Sequence, residues 1–447
     1  MNLSRHHYLT TLALLTAGCG VGGGEDEPGT LQQGLGIGDS VQAESFSSQQ
    51  GTALTSSGTA VTSFDSGDYL CYPSMTMDGV EALDLVMASA TSGGVFTVRL
   101  DTATGMEISR YTVAATGGAD QYVTRSVSLG SVTGSHSFCL KGESGASIAN
   151  LDSFRVVGNT GSFTVVAIPD TQYYSAQMNG GTIAMFQSQT SWIVNNQTNM
   201  NIKLATHLGD IVNQGVYQSQ FDRALTAMNT LKNSSVTYDI LPGNHEGYWY
   251  LYIYGYSMLS NYNKNFPVSN FSSKAWFGGS YPSDTMNNSY VLFSAAGMDF
   301  INISLGVQGY NSSTVDTNAR NWAKQILEQY PNRRAIISTH DYMDSSGVDS
   351  TGNTLWNDVV KTHSNVFMVV CGHNTRQAFV TSTNNAGKPV FQLMSDYQSD
   401  TNGGNGWLRY YRFLPATNKI EVWTYSPYLN SYENTSVSRF DISYEMN

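Results

Sequence analysis

From residue 163 onward the chain alternates short, continuous apolar runs with longer stretches of helical pattern, and this alternation constrains the fold more than any other feature. Phe163–Ile168 and Val366–Cys371 are two of the apolar runs, and the helical stretches lie at 182–195 and 218–231. Strands that are buried on both faces carry such runs. Strands that alternate with helices form an α/β sheet, whose functional sites lie at the carboxyl ends of the strands. The sequence therefore predicts an α/β domain over residues 162–447.

Five predicted strands in this region are followed directly by polar residues of types that bind metal ions. These residues are Asp170 with Gln172, Asp210, Asn244 with His245, His340 and His373. Carboxylates, imidazoles and amide oxygens are ligands that divalent metals accept. Glycines directly before Asp210, Asn244 and His373 are predicted to let the backbone turn sharply below the site. We therefore expect the strand ends to gather these side chains at one sheet edge as a dinuclear metal site.

The motifs Asp-Thr-Gln, Gly-Asp, Gly-Asn-His-Glu, His and Gly-His-Asn-Thr occur in this order along the chain. The series resembles the calcineurin-like metallophosphoesterases, which carry Asp-x-His, Gly-Asp, Gly-Asn-His-(Asp/Glu), His and Gly-His-x-His. The resemblance implies an α-β-β-α layered domain with two divalent metal ions (Mn, Fe, Zn, Mg or Ca). It also implies hydrolysis of a phosphomonoester or phosphodiester, in which the cations neutralise the phosphoryl oxygens and a metal-bound hydroxide attacks.

The resemblance also assigns a role to each motif residue. Asp210 would bridge the two metals and take part in catalysis. His245 would lie beside the phosphate, as the general acid for the leaving group or as a stabiliser of the transition state. The other metal ligands would be Asn244, His340 and His373 for one metal, and Asp170 and Gln172 for the other.

Two positions depart from the family pattern. Gln172 stands where the family has a histidine, and Thr375 stands where the last histidine of Gly-His-x-His would be. The metal beside Asp170 then has no imidazole ligand, so we expect it to be weakly held and of the hard type (Mg, Mn or Ca), or absent without substrate. These departures motivate an alternative function, a surface carbohydrate-binding lipoprotein whose phosphoesterase-like domain is catalytically impaired.

Residues 39–158 have a different pattern, with strand-length runs broken by Gly, Ser and Asn and with no convincing helix. Such spacing predicts an all-β sandwich. The order of its short motifs resembles a family-six-type carbohydrate-binding module, a β-jelly-roll. The motifs are Gln42-Ala-Glu-Ser45, Ser66-Gly-Asp-Tyr69, Thr116-Gly-Gly118, Gly134-Ser-His136 and Asn150-Leu-Asp-Ser-Phe154.

The resemblance to that module implies two sites in the β-domain. Glu44 and Asp152 would hold a structural calcium ion that joins the two ends of the domain. Tyr69 and Tyr122 would be the aromatic platforms for a polysaccharide, with Asn150 as a polar partner. Ala119 stands where the family often has a tryptophan. Two other interpretations remain, that both tyrosines are half-buried strand residues and that the domain only stabilises its neighbour.

The N-terminus has the pattern of an export signal. A basic start and a short apolar run lead to Leu15-Thr-Ala-Gly-Cys19, which resembles a bacterial lipobox with Cys19 as the lipidated residue. Residues 1–19 are predicted as a lipoprotein-type signal segment and residues 20–38 as a flexible linker. We expect an exported protein that is anchored at the bacterial cell envelope by lipid only, or an ordinary signal peptide and a secreted protein.

Cysteine usage and charge add two expectations. Cys71 and Cys139 lie in the same predicted domain and are the natural disulfide pair, although the sequence leaves the pairing open. Cys371 ends an apolar run and is expected to be a buried free thiol. The chain carries 22 basic and 34 acidic residues, with no basic run. This balance argues against a nucleic-acid docking surface, which needs clustered Lys and Arg.

His207 and the aromatic segment 248–256 each allow a functional and a structural interpretation. His207 lies within a predicted strand and is expected to be a hydrogen-bonded core histidine. The aromatic segment 248–256 follows the Asn-His pair and is either a roof over the site or a packed insertion.

Overall fold

The structure is a computed structural model that describes residues 35–158, 161–247, 258–307 and 314–446. The predicted signal segment with Cys19, most of the predicted linker and the aromatic segment 248–256 lie outside the described residues. Residues 35–38 belong to the β-domain, because the Leu35 amide donates to the Ser74 carbonyl at 3.0 Å and the Gly38 amide to the Val156 carbonyl at 2.9 Å. The predicted linker is therefore wrong at its C-terminal end.

The N-terminal domain is a sandwich of two antiparallel sheets, with strands numbered in chain order. One sheet contains β1 (Ser40–Gln42), β3 (Ala53–Leu54), β4 (Val61–Thr62), β6 (Val80–Ser89), β9 (Gly118–Ser128) and β11 (Asn150–Gly158). The other contains β2 (Ser48–Gln50), β5 (Tyr69–Thr76), β7 (Gly94–Leu100), β8 (Glu107–Val113) and β10 (Ser135–Ser144). The rings of Tyr72, Phe138 and Phe154 pack between the sheets. Cys71 and Cys139 face each other on β5 and β10 and form a disulfide, which confirms the predicted pair.

The C-terminal domain packs two seven-stranded mixed sheets face to face within its described residues. The first sheet contains β12 (Phe163–Ile168), β13 (Ile202–His207), β14 (Tyr238–Asp239), β24 (Leu408–Leu414), β25 (Lys419–Ser426), β26 (Ser431–Glu433) and β27 (Phe440–Ser443). The second contains β15 (Phe277–Ser280), β16 (Asn288–Ala295), β17 (Met298–Leu305), β18 (Arg334–Thr339), β21 (Val366–Cys371), β22 (Arg376–Thr383) and β23 (Pro389–Asp396). A small hairpin joins β19 (Met343–Asp344) to β20 (Gly347–Val348). The two sheets match the two β layers of the predicted α-β-β-α domain, and the all-β plus layered α/β fold class is confirmed.

Helices flank these sheets. They are α1 (Gln172–Ala176), α2 (Ile183–Asn195), α3 (Gln218–Lys232), α4 (Ser260–Asn265), α5 (Thr317–Gln329), α6 (Ser350–Leu355) and α7 (Thr401–Gly404), with short 3-10 turns at Val268–Asn270 and Pro415–Thr417 and a π-helical turn at Trp356–Val360. The two predicted helices correspond to α2 and α3, each within one residue at either end. Asp316 caps α5, because its Oδ1 accepts from the Asn318 amide at 2.8 Å. None of these helices has the length and apolar character that a bilayer crossing requires.

The space between the two sheets contains an apolar part and a polar part. Phe163 and Phe413 stack with ring centroids 4.5 Å apart in the apolar part. In the polar part, the Thr206 hydroxyl donates to Ser338 Oγ at 3.1 Å, and Ser338 donates to Asn302 Oδ1 at 2.8 Å. The Ser289 hydroxyl, on the second sheet, donates to Asp239 Oδ1 on the first at 2.6 Å. Because buried polar groups need partners, these bonds fix how the two sheets face each other.

The two domains pack directly on each other and share one hydrophobic cluster. The Tyr432 hydroxyl of the C-terminal domain donates to the Ser131 carbonyl of the β-domain at 2.9 Å. A Cβ at Gly130 would lie 2.6 Å from the Tyr432 ring, so only glycine leaves room for this contact. The Ser162 hydroxyl donates to the buried Glu81 carboxylate across the domain boundary. The β-domain is therefore fixed against its neighbour rather than tethered to it.

Candidate metal centre

The carboxyl ends of parallel strands from both sheets meet at one place. On the first sheet, Asp170 follows β12, Asp210 follows β13 and Asn244 follows β14; on the second sheet, His340 follows β18 and His373 follows β21. Ligand atoms of Asp210, His340 and His373 all lie within 4.8 Å of one another. The predicted gathering of strand-end residues is therefore present, but it is formed by two sheets instead of one sheet edge.

The backbone below the site is unusual at two of the ligands. Asp210 has φ of 50° and His373 has φ of 67°, in the left-handed region that non-glycine residues rarely adopt. Among the motif glycines, Gly209 has φ of 95° and makes the predicted sharp turn. The reason for Gly243 and Gly372 is space, because a Cβ there would lie 2.2 Å from Asp210 Oδ1 and 2.2 Å from Asp170 Oδ2 respectively.

His340 lies at the middle of the imidazole-bearing half of the centre. Its Nδ1–H donates to the Leu208 carbonyl at 2.9 Å, so its Nε2 points into the site. That nitrogen lies 2.9 Å from Asn244 Oδ1, 3.1 Å from His373 Nδ1 and 3.4 Å from Asp210 Oδ1. An imidazole held from behind by a backbone carbonyl is the usual arrangement of a metal-binding histidine.

The electrostatics of this half follow from burial and from the close carboxylates. Burial alone would raise the pKa of Asp210, but His340 outweighs it and lowers that pKa to about 2. Burial alone would lower the pKa of His340, but Asp210 and Asp170 raise it to about 10. Burial and the charge of His340 lower the pKa of His373 to about 4. Asp210 is therefore ionised at neutral pH and suited to bind cations.

Glu246, the last residue of the Gly-Asn-His-Glu motif, holds the surrounding loops together. Its buried carboxylate accepts from the backbone amides of Gly243 at 2.7 Å, Val212 at 2.8 Å and Asp210 at 3.0 Å. Burial, with the charge of Asp210, raises the pKa of Glu246 to about 8. This side chain positions the loops that carry Asp210 and Asn244.

His245 lies at the rim of the site, with 28% of its side chain exposed. Its Nδ1–H donates to the Asn213 carbonyl at 2.6 Å, and its Nε2 lies 3.9 Å from Asp210 Oδ2. Its own amide donates to Asp210 Oδ1 at 3.0 Å. The ring orientation is thus fixed through Nδ1, with Nε2 on the side of Asp210.

The half of the centre that lacks imidazoles is built differently. Gln172 is 1% exposed, and its Nε2 donates to Asp210 Oδ2 at 3.1 Å and also contacts Gln398 Oε1. Thr375 is exposed, so it does not replace the missing histidine. Both oxygens of Asp170 accept from the His373 amide, at 3.2 and 3.3 Å. Gln172 thus contacts Asp210, and Asp170 lies against the backbone of His373; that these three residues hold the first metal stays a prediction.

Asp396 is a residue of the centre that the sequence analysis missed. It ends β23, which pairs in parallel with β21 so that Met394 lies beside Cys371. Burial, with the charge of Asp210, raises the pKa of Asp396 to about 7. Burial, and after it the charge of Asp396, raises the pKa of Asp170 well above its usual range. The signal that could have found it is a carboxylate at a strand end, the same signal that found Asp170 and Asp210.

The residues present fit a divalent metal centre. Beside the cluster of Asp210, His340 and His373, two deeply buried oxygens, Gln172 Oε1 and Asp396 Oδ2, lack a hydrogen-bond partner among the residues that the structure describes. Buried polar oxygens without partners are costly, and a cation offsets that cost. His207, by contrast, is a core residue as predicted, since it is buried and its Nε2 lies 3.0 Å from Thr171 Oγ1.

In the β-domain, the residues predicted to bind sugar do not all come together. Tyr122 and Asn150 line one cavity of about 380 Å³, together with Ala119 and Asp152. Asn150 Nδ2 donates to the Ala119 carbonyl across it at 2.7 Å. Tyr69 lies on the other sheet and lines a separate cavity. Both tyrosines are half-buried, so their rings are partly accessible.

The residues predicted to hold calcium lie near each other at the domain ends. The Ala43 amide donates to the Asp152 carbonyl at 2.8 Å, which brings Glu44 to the end of β11. Glu44 Oε2 is buried and lacks a hydrogen-bond partner within the described ranges, and Asp152 Oδ2 accepts from Ser153 at 2.9 Å. This arrangement is compatible with a cation there, and the calcium site stays a prediction.

Comparison with known proteins agrees with this division. The family model for carbohydrate binding module (family 6) matches residues 42–158, and the family model for calcineurin-like phosphoesterase matches residues 163–376. Uncharacterized protein YvnB of Bacillus subtilis (strain 168) is 33% identical over 291 residues, which are 62% of this chain. The chain spans about a fifth (21%) of the length of that relative.

Two solved structures are among those found to be similar to this chain. A family 6 carbohydrate-binding module from Clostridium cellulolyticum, in complex with xylose, is 36% identical over 27% of this chain and 98% of its own, with a TM-score of 0.25. Purple acid phosphatase PPD1 from yellow lupin (Lupinus luteus) is 12% identical over 86% of this chain and 74% of its own, with a TM-score of 0.42. Residues 42–158 are thus similar to family 6 carbohydrate-binding modules, and residues 163–376 to calcineurin-like phosphoesterases.

Proposed function

We propose that this protein is an exported, metal-dependent phosphoesterase that hydrolyses phosphomonoesters or phosphodiesters at a dinuclear centre. The observation that supports the proposal best is the convergence of Asp210, His340 and His373, with ligand atoms within 4.8 Å of one another. Asp170, Gln172 and Asn244 adjoin this cluster through direct contacts. The order of these residues along the chain is the order of the phosphoesterase motifs.

The residues of the centre would have separate roles in metal binding and proton transfer. Asn244, His340 and His373 would hold one cation, Asp170 and Gln172 the other, and Asp210 both. Bound there, two cations supply Lewis acidity, which neutralises phosphoryl oxygens and acidifies water. His245 Nε2, at the exposed rim, would donate a proton to the leaving oxygen. The Asn213 carbonyl holds its Nδ1–H at 2.6 Å and so fixes the ring orientation for that transfer.

The β-domain would bind polysaccharide through Tyr122 and Asn150, which share a cavity. Tyr69 lines another cavity and is not needed for this proposal. Export rests on the sequence of residues 1–19, with Cys19 as the lipid-bearing residue. The protein would then act at the bacterial cell envelope, on phosphoesters held near a polysaccharide.

The second candidate function is a carbohydrate-binding lipoprotein without turnover. The observation that favours it is the weak half of the centre, in which Gln172 supplies an amide and Thr375 is exposed. It predicts normal glycan binding and no hydrolysis with any added metal.

Metal content and hydrolysis by the full chain test both functions together. The protein, loaded with Mn²⁺, Zn²⁺, Mg²⁺ or Ca²⁺, is assayed with p-nitrophenyl phosphate and bis(p-nitrophenyl) phosphate. Asp210→Asn should abolish turnover, whereas Asp222→Asn, an exposed carboxylate on α3, should leave it unchanged. Hydrolysis lost only in Asp210→Asn supports the enzyme. Absence of turnover under every metal would overturn the enzyme and favour the binding protein.

A further inference from the structure

The first metal position has a ligand problem that the family motifs do not solve. Asp170, Gln172 and Asp210 supply its ligands, and neither position 172 nor position 375 carries an imidazole. Gln172 is buried, yet its Oε1 has no hydrogen-bond partner in the part of the chain that the structure describes. Two carboxylates and one amide are few ligands for a hard cation, which takes six or more oxygens, including water.

Asp396 lies where a further ligand is needed. The parallel pairing of β23 with β21 sets Met394 beside Cys371, and the two strands therefore end side by side at Asp396 and at Gly372-His373. Gln398 connects Asp396 to Gln172, because it contacts both side chains. The backbone amide of Gln398 donates to Asp396 Oδ1 at 2.9 Å, and the side-chain Oε1 of Gln398 contacts Gln172 Nε2. Gln172 Nε2 also donates to Asp210 Oδ2.

The second oxygen of Asp396 is the decisive atom. Asp396 is 1% exposed, and its Oδ2 has no hydrogen-bond partner within residues 35–158, 161–247, 258–307 and 314–446. A carboxylate that only held the 398 loop would need just the oxygen that accepts from Gln398. An unpartnered, buried carboxylate oxygen next to other carboxylates indicates that a cation belongs there.

We propose, on the basis of the proposed function, that Asp396 is a ligand of the first metal ion and replaces the missing imidazoles. With Asp170, Asp210 and the amide oxygen of Gln172 or Gln398, it forms an all-oxygen set. Such a set suits Mg²⁺, Mn²⁺ or Ca²⁺, whereas the half with His340 and His373 suits Zn²⁺ or Fe. Asp396 lies beyond the last residue of the phosphoesterase family match, residue 376, so the family pattern does not assign it.

Manganese binding by the full chain tests the proposal without recourse to activity. The metal-free protein is titrated with MnCl₂, bound Mn is counted, and the electron paramagnetic resonance spectrum is recorded. Wild type should bind two Mn²⁺ and show a spin-coupled signal. Asp396→Asn keeps the oxygen that accepts from Gln398 but removes the charge. It should bind one Mn²⁺ tightly, with a six-line mononuclear signal and second-site affinity lower by about 100-fold.

Asp400→Asn is the matched control, because Asp400 is an exposed carboxylate on the same loop. It should bind two Mn²⁺ like wild type. Two coupled Mn²⁺ in Asp396→Asn, with affinities within about threefold of wild type, would overturn the proposal while leaving the proposed function intact. A wild-type protein that binds fewer than two Mn²⁺ would overturn the proposal, and the dinuclear centre with it.

A measurement on wild type keeps the proposal testable if Asp396→Asn does not fold. One equivalent of Zn²⁺ is added to the protein loaded with two Mn²⁺. Zn²⁺ should displace Mn²⁺ from the imidazole half only, which converts the coupled signal into a mononuclear one. Loss of Mn²⁺ from both positions alike, with a coupled signal of lower amplitude, would contradict an all-oxygen site.

Discussion

The metal centre of the C-terminal domain consists of side chains at the ends of parallel strands, whereas the predicted sugar-binding residues of the β-domain lie on strand faces. Asp170, Asp210 and His340 are at most 3% exposed. Tyr69 and Tyr122 are half-buried, and they lie on different sheets of the sandwich. The first site is held by buried hydrogen bonds, and the second depends on half-buried rings that line two separate cavities.

The difference shows which side-chain positions each architecture determines. The carboxyl ends of parallel strands meet at one edge, so each strand adds a ligand to the same place. In a sandwich, a residue's position in the chain does not determine which cavity its ring lines. Substitutions in the metal centre should therefore change stability and hydrolysis together, whereas substitutions at the β-domain cavities should change glycan binding alone.

The largest effect is expected at Glu246, whose role has no counterpart in the sugar site. Glu246→Ala leaves three buried amides without their acceptor, so the free energy of unfolding should fall by roughly 3 to 6 kcal/mol. Chemical denaturation measures the change. Glu328→Ala, at an exposed position of α5, is the control and should change stability by less than about 0.5 kcal/mol. Equal losses of stability in Glu246→Ala and Glu328→Ala would contradict the proposed role of Glu246 in holding the loops.

His245→Ala sharpens the comparison by separating chemistry from structure within the centre. Because His245 is proposed as proton donor, its loss should slow esters with poor leaving groups by about 100- to 1,000-fold. Esters with good leaving groups, such as p-nitrophenyl phosphate, should be slowed much less. Steady-state rates on phenyl and p-nitrophenyl phosphate give the ratio. A uniform decrease for both esters would assign the ring a structural role.

Asp239 tests the polar part between the two sheets through the pH dependence of stability. Burial outweighs its hydrogen bonds and raises its pKa to about 6, above the ordinary 3.8. A raised pKa favours the protonated, folded form, so this stabilisation is complete below about pH 4 and is lost as pH rises through 6. The loss is at most about 3 kcal/mol.

Asp239→Asn should remove this dependence, so its stability relative to wild type should rise between pH 4 and pH 6. Urea unfolding at several pH values within that range measures the difference. A constant difference between variant and wild type would show that Asp239 does not titrate in this range.

The smallest effect is expected in the β-domain. Tyr122→Ala should weaken the proposed polysaccharide binding by about tenfold, with soluble xylan and β-glucan as test ligands, since it removes one ring from an accessible surface. Tyr69→Ala, at the separate cavity, should leave that binding unchanged. Affinity electrophoresis compares the variants, and both should keep wild-type phosphoesterase activity. Equal losses in the two variants would mean that one glycan contacts both cavities.

Part of the fold could be predicted from the sequence because two buried strands, β12 and β21, are apolar almost throughout. β12 and β21 were predicted with their observed ends, and α2 and α3 to within one residue at either end. β24 and β25 were not predicted as strands. They carry Arg412 and Glu421, which are buried as an ion pair with 2.8 Å between Nε and Oε2, so their charges hide a buried strand.

The metal ligands could be predicted because each follows a segment that the sequence predicts as a strand. Asp396 was missed because β23, in which the buried Gln392 and Ser395 interrupt the apolar residues, was not predicted as a strand. The separation of Tyr69 from Tyr122 could not be derived from strand patterns, because alternation gives the face of a strand but not its sheet.

The contact of Tyr432 with Gly130 and Ser131 has a practical and evolutionary consequence. A module on a free tether can be exchanged between enzymes, but this one shares its apolar interior with the catalytic part. Removal of the β-domain would expose to water the apolar side chains of the C-terminal domain that now pack against it. A polysaccharide bound by the β-domain, as proposed, would therefore be held at a fixed distance and orientation relative to the candidate metal centre.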